Sequence, residues 1–140
     1  MPLAAVLLPV FTLIALTFGL LFWTGATRRE AIAKGETKLG DIALGQSAWP
    51  QRQTQIGRAF QNQLELPVLF YVLVGLAIVT QKADLLFVGL SWAFVVARLL
   101  HAYVHVTDNH VMRRFQAFLA GVSVLVTMWA IFALRIIGGF

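Results

Sequence analysis

Four apolar runs dominate the chain, at about residues 3–26, 55–80, 85–105 and 113–137. At 1.5 Å per helical residue, a run of about 20 residues crosses the roughly 30 Å hydrocarbon core of a bilayer. Backbone polar groups at that depth must be satisfied within the segment, so each run reads as a transmembrane helix. Strand-like alternation with a polar face is absent, which argues against a β-barrel. Only 12% of residues are charged and 59% are hydrophobic, whereas soluble domains carry about 25% charged residues. The expected fold is all-α: an integral membrane four-helix bundle, residues 1–140 forming a single domain, with a polar loop at 27–54.

No basic residue precedes the first run, and it exceeds the roughly 7–15 apolar residues of a signal-peptide core. It is therefore read as the first span. Arg28 and Arg29 follow it directly. The loop at 27–54 also holds Lys34, Lys38 and Arg52, and it is broken up by Gly35, Gly40, Gly45 and Pro50. One short helical turn near the membrane surface, beside Trp49, is expected there. Its lone glycines match no phosphate-cradling motif. The net charge of +5 comes mostly from basic residues in the first and third loops. Such loops stay in the cytoplasm, which places both termini on the non-cytoplasmic side. The same bias makes nucleic acid an unneeded explanation of the charge. With no cysteine in the chain, disulfides, Cys-ligated zinc and an intrinsic thiol nucleophile are excluded. Any thiol chemistry must use a borrowed thiol.

The second run is entered through Arg58-Ala-Phe-Gln-Asn62-Gln-Leu-Glu65-Leu-Pro67. Steps of four and three place Arg58, Asn62 and Glu65 on one helix face. Polar groups at such depth are costly and mark an interior or a wet cleft. Pro67 cannot donate to the Gln63 carbonyl and should kink the helix. The turn at 81–84 makes the second and third spans antiparallel neighbours. Residues equidistant from that turn then lie at equal depth: Arg58 with His105, Asn62 with His101, Glu65 with Arg98. Glu65 and Arg98 are expected to form a structural ion pair. Asn62 and His101 also fit a simpler role, hydrogen-bonding the bundle together. His101 and His105, four apart, fit metal ligation poorly because no other span offers a matching ligand; no metal is expected. Arg28, Arg29, Arg58, Arg113 and Arg114 all fall near the cytoplasmic mouth, where guanidiniums suit an anionic ligand or anchor helix ends at head groups. Small residues four apart, Ala93 and Ala97, then Ala117 and Gly121, allow close helix approach.

Arg58-x-x-x-Asn62-x-x-Glu65 before a proline, Arg98-x-x-His101, and an arginine opening the last span together resemble the MAPEG family. These are membrane-associated proteins in eicosanoid and glutathione metabolism, such as microsomal glutathione transferase. The resemblance implies a homotrimer of four-helix bundles that binds glutathione as co-substrate between subunits, with a small hydrophobic electrophile arriving from the lipid. By motif position it implies glutathione contacts at Arg58, Asn62, Glu65 and His101, at Arg28 or Arg29, and at His105, where relatives often have a tyrosine. Arg114, or alternatively Arg113, takes the place of the arginine that faces the thiol. Phe115 stands where a dedicated prostaglandin synthase has serine, which points to a transferase or peroxidase of broad specificity instead. The rival expectation is a non-catalytic subunit of a larger membrane complex. A bacterial inner membrane is favoured over the endoplasmic reticulum.

Overall fold

The computed structural model describes residues 1–43 and 49–139. Residues 44–48 of the expected loop, Gly45 among them, lie outside the described residues. The chain forms α1 (Leu3–Ala33), α2 (Leu39–Ile42), α3 (Gln51–Asn62), α4 (Leu66–Val79), α5 (Leu85–Val106) and α6 (Val111–Gly138). Among the described residues, four segments are long and apolar enough to cross a membrane: α1, α3 with α4, α5, and α6. The protein is an integral, multi-pass, all-helical membrane protein.

The second span begins at Gln51, four residues inside the expected loop, and two further differences have a local cause. α1 continues past Ala26 to Ala33, because Thr27 to Ala33 contains no helix breaker. It stops at Gly35, which adopts φ +75°. The Gly35 and Glu36 amides donate back to the carbonyls of Ile32 (3.1 Å) and Ala31 (2.9 Å), a left-handed closure that favours glycine. Among the described residues the loop holds one short helical turn, α2, which ends seven residues before Trp49.

The second difference lies at Pro67, where the helix breaks instead of kinking. α3 ends at Asn62. The amides of Gln63 and Leu64 then turn to carbonyls three residues back, on Phe60 (2.9 Å) and Gln61 (3.0 Å). α4 restarts at Leu66 with Pro67 in its first turn, where the missing N–H costs nothing. Inside a helix the same proline would cost about 3 kcal/mol or more.

α5 is the central element. Half of its most apolar stretch (50%) is buried, against 22% for α1 and for α6. α1 and α6 therefore turn most of their surface outward. α5 packs along α6, and also against α1 and α3. The core joins Leu13 of α1, Phe70 and Leu73 of α4, Phe94 and Val95 of α5, and Met128 of α6. The rings of Phe70 and Phe94 stack with centroids 4.9 Å apart. Close approach of α5 and α6 occurs at Ala97 and Gly121: a Cβ on Gly121 would lie 3.7 Å from that of Ala97. Ala93, by contrast, is exposed.

At the end remote from the arginine pairs, Asp84 caps α5 by accepting from the Phe87 amide at 3.0 Å. Its other oxygen pairs with Arg135 of α6 at 2.8 Å. Arg135 also donates to the Lys82 carbonyl, so this turn is tied to the last helix. The Arg135 hydrogen bond, opposed by partial burial, holds the Asp84 carboxyl below the usual aspartate range. A carboxyl depressed in the folded state contributes stability above its free-chain pKa and loses it as pH falls through the folded value.

Asp84→Asn keeps the cap but loses the ion pair, and should destabilise by about 0.5–1 kcal/mol at neutral pH. Thermal unfolding in detergent should show this gap closing below about pH 4; a gap that persists in acid would rule out the ion pair as its cause. Gly121→Ala should be tolerated, whereas Gly121→Leu should cost about 1–3 kcal/mol by forcing α6 from α5. Equal melting of the two variants would show that the helices do not meet there.

Candidate functional site: a polar cleft at the arginine-bearing end

The first turns of α3 are tied to the end of α5. Arg52 donates to the Val106 carbonyl, and Gln55 donates to the carbonyls of His105 and Thr107, each at 3.4 Å. The last carbonyls of a helix lack intrahelical partners, and these two side chains supply them. Arg52 also lies 5.2 Å from the ring centroid of Trp23 on α1. The tether sets the height of α3 against α5 and brings Arg58 and Asn62 alongside the two histidines.

Below it, α3, α5 and α6 enclose a cleft of about 420 Å³. α3 and the break after it contribute Arg58, Gln61, Asn62 and Glu65; α5 contributes His101 and His105; α6 contributes Val111, Arg114, Phe115 and Phe118. Two guanidiniums face one carboxylate, and three apolar side chains at i, i+4 and i+7 line the opposing wall. A smaller cavity of about 190 Å³ adjoins it, sharing Arg58 and His105 and reaching Asn109.

Asn62 is the hinge of the polar wall. Its side-chain amide lies 3.1 Å from the Arg58 carbonyl and 3.4 Å from His105 Nδ1. Its own carbonyl accepts from Arg98 Nη2 at 2.9 Å. Asn62 thus sits at the height of His101, with Arg98 one turn to one side and His105 one turn to the other. The His101 and His105 rings meet edge to face, with centroids 5.7 Å apart. Among the described residues, no group of three His, Cys, Asp or Glu side chains is gathered as a metal site would require.

The expected Glu65–Arg98 ion pair is not formed. Ion pairs among the described residues are Lys34–Glu30, Arg113–Asp108 and Arg135–Asp84. The break explains the difference. Two residues of tighter winding, Gln63 and Leu64, separate Glu65 from α3, and its carboxylate is exposed toward the cleft. At the break the Asn62 carbonyl accepts only a long bond from the Glu65 amide, 3.5 Å, and Arg98, 1% exposed, adds a shorter one. Its Nε and Nη1 have no hydrogen-bond partner.

The adjacent arginines of α6 diverge. Arg114 lines the cleft, and its Nη1 donates to Asn109 Oδ1 at 2.6 Å. Arg113 points out and pairs with Asp108 at 3.4 Å. Neither Arg28 nor Arg29 lines the cleft. Arg28 lies under Trp49, 5.0 Å from its ring centroid, in space left by Gly57, where a Cβ would come within 2.9 Å of Arg28 Nη2. Arg29 is exposed. Of the expected contacts, Arg58, Asn62, Glu65, His101, His105 and Arg114 share one cleft. Gln61, Val111 and Phe118 line it without having been singled out. The i, i+4, i+7 spacing of Val111, Phe115 and Phe118 was the signal available for two of them.

A site with this lining suits a ligand that is anionic at one end and apolar at the other, held where water and lipid meet. No curated protein and no solved structure matches the chain. A family model, that of the MAPEG family, matches residues 6–134. With four membrane-spanning segments and a match along nearly its whole length, the chain belongs to the MAPEG family.

Proposed function

We propose that this protein is a membrane-bound glutathione-dependent transferase or peroxidase of broad specificity, working as a homotrimer. The observation that carries the reading is the convergence of Arg58, Arg114 and Glu65 on one cleft whose far wall is Phe115 and Phe118. Glutathione bears two carboxylates and one ammonium, and two guanidiniums with one carboxylate complement it. Arg58 would hold a carboxylate, and Glu65 the ammonium. His105, steadied by Asn62, would complete the polar wall.

Arg114 is the group assigned to the thiol. A free thiol has a pKa of about 8.5, and an adjacent guanidinium lowers it, so that more thiolate is present at neutral pH. The thiol proton passes to water. The thiolate sulfur then attacks an electrophilic carbon of an apolar substrate resting on the phenylalanine wall, the C–S bond forming as the leaving group departs with its electron pair. With a hydroperoxide the sulfur attacks oxygen, and the O–O bond breaks to release an alcohol after protonation. A second glutathione then displaces water from the sulfenic acid to give the disulfide. Arg113, held outside by Asp108, has no part in this step. α1 and α6, exposed along most of their length, would meet lipid and neighbouring copies. The arginine-bearing end would face the cytoplasm, in a bacterial inner membrane by preference, which puts both termini on the opposite side.

Titration of the purified protein with glutathione, followed by thiolate absorbance near neutral pH, tests the reading. Absence of binding at millimolar concentration would defeat it. Co-purification with a larger membrane complex, without glutathione affinity, would favour a non-catalytic subunit. Arg114→Ala should lower kcat/KM roughly 100-fold, equivalent to about two pKa units at the thiol, while Arg113→Ala stays close to the parent; the reverse ranking would move the role to Arg113. Glu65→Gln should weaken glutathione binding roughly tenfold, the loss of one charge-assisted hydrogen bond. Because Glu65 makes no direct pair with Arg98, its melting temperature should change little. A large loss of stability with unchanged affinity would restore the structural role.

A further inference from the structure

We propose that Asn109 is a positioning residue for Arg114, and that a neutral amide occupies this place because it aims the guanidinium without neutralising it. The inference rests on Arg114 being the thiol-activating group.

The α5–α6 turn carries two neighbouring acceptors, Asp108 and Asn109, and α6 opens with two neighbouring arginines. Each acceptor reaches the arginine five residues on. Asp108 Oδ2 takes Arg113 at 3.4 Å, on side chains 53% and 67% exposed. Asn109 Oδ1 takes Arg114 at 2.6 Å, in a half-buried position beside the cleft. Successive helical residues project about 100° apart, so the two pairings sort one arginine outward and the other inward.

The chemistry of the two acceptors differs where it matters. The Asp108 carboxylate offsets the charge of Arg113, which faces solvent. The Asn109 amide fixes one nitrogen of Arg114 and leaves its full charge for a ligand in the cleft. A carboxylate at 2.6 Å would cancel much of that field. The other charged or titratable groups facing this space are Arg58 of α3, Glu65 at the helix break, and His101 and His105 of α5.

The backbone holds Asn109 in place. It adopts φ +52°, a conformation that asparagine accepts more readily than most residues, and its amide donates to the Val104 carbonyl at 2.8 Å. The side chain is thereby anchored to the end of α5 while it grips the start of α6. Asn109 also lines the cavity that adjoins the cleft through Arg58 and His105.

The full-length protein in detergent, with Asn109→Gly and Asn109→Asp, provides the test. Both substitutions accept a positive φ, and thermal melting checks the fold. The readout is the pH midpoint of glutathione thiolate absorbance, with glutathione affinity measured alongside. Asn109→Gly should raise the midpoint, leaving about three- to tenfold less thiolate at neutral pH. Asn109→Asp should leave less still, tenfold or more below the parent, with affinity changed no more than about threefold in either variant. A role confined to closing α5 would lower the melting temperature of Asn109→Gly and leave the midpoint in place, which would overturn the proposal. Parental midpoints in both variants would also overturn it and leave the reading of Arg114 intact. Absence of thiolate in the parent protein would overturn both.

Discussion

A backbone carbonyl inside a membrane bundle must find a donor, and one such carbonyl organises this protein. The helix breaks between α3 and α4, just before Pro67, and there the Asn62 carbonyl keeps only a long backbone bond, from the Glu65 amide at 3.5 Å. An unsatisfied polar group in hydrocarbon costs several kcal/mol. Arg98, buried on the central helix, adds a shorter bond at 2.9 Å. A broken helix is tolerated in a membrane where a neighbouring side chain restores the balance in this way. The same break carries Glu65 off the helical face and exposes its carboxylate to the cleft. A constraint on backbone hydrogen bonding thereby becomes an arrangement of charges.

The bundle around this point serves to hold α5 still. α5 packs against α1, α3 and α6, and the face bearing Arg98, His101 and His105 is the buried one. Arg52 and Gln55 secure α3 to its end on the cleft side. The Ala97–Gly121 contact brings α6 close, and Asp84 with Arg135 fastens the opposite end. The cleft is what remains between three helices whose separations are set elsewhere. Its polar wall comes from α3 and α5, and its apolar wall from α6. Arg114 stands where the two walls meet.

Much of this was legible in the chain because it depends on period. Apolar length located the four spans, and steps of three and four located the polar face of Arg58, Asn62, His101 and His105. What failed was the assumption of one continuous helix through Pro67. Equal-depth pairing of Glu65 with Arg98 requires α-helical winding across residues 63–65, and those residues wind more tightly. Period also says nothing about adjacent residues such as Arg113 and Arg114. Their separation depends on the acceptors in the preceding turn. Arg28 was expected near a ligand because it ends the first apolar run, yet the space left by Gly57 and the ring of Trp49 hold it elsewhere. Contacts of that kind join residues far apart in sequence and leave no periodic trace. Family membership, by contrast, was carried by the ordered polar positions themselves and agrees with the match over residues 6–134.

The most direct test is a structure of the protein in a lipid nanodisc with saturating glutathione. The expected result is ligand density in the cleft between α3, α5 and α6, with carboxylate against Arg58, ammonium against Glu65, and sulfur within contact of Arg114. Density at another surface, or an empty cleft at saturation, would contradict the assignment of this cleft as the glutathione site.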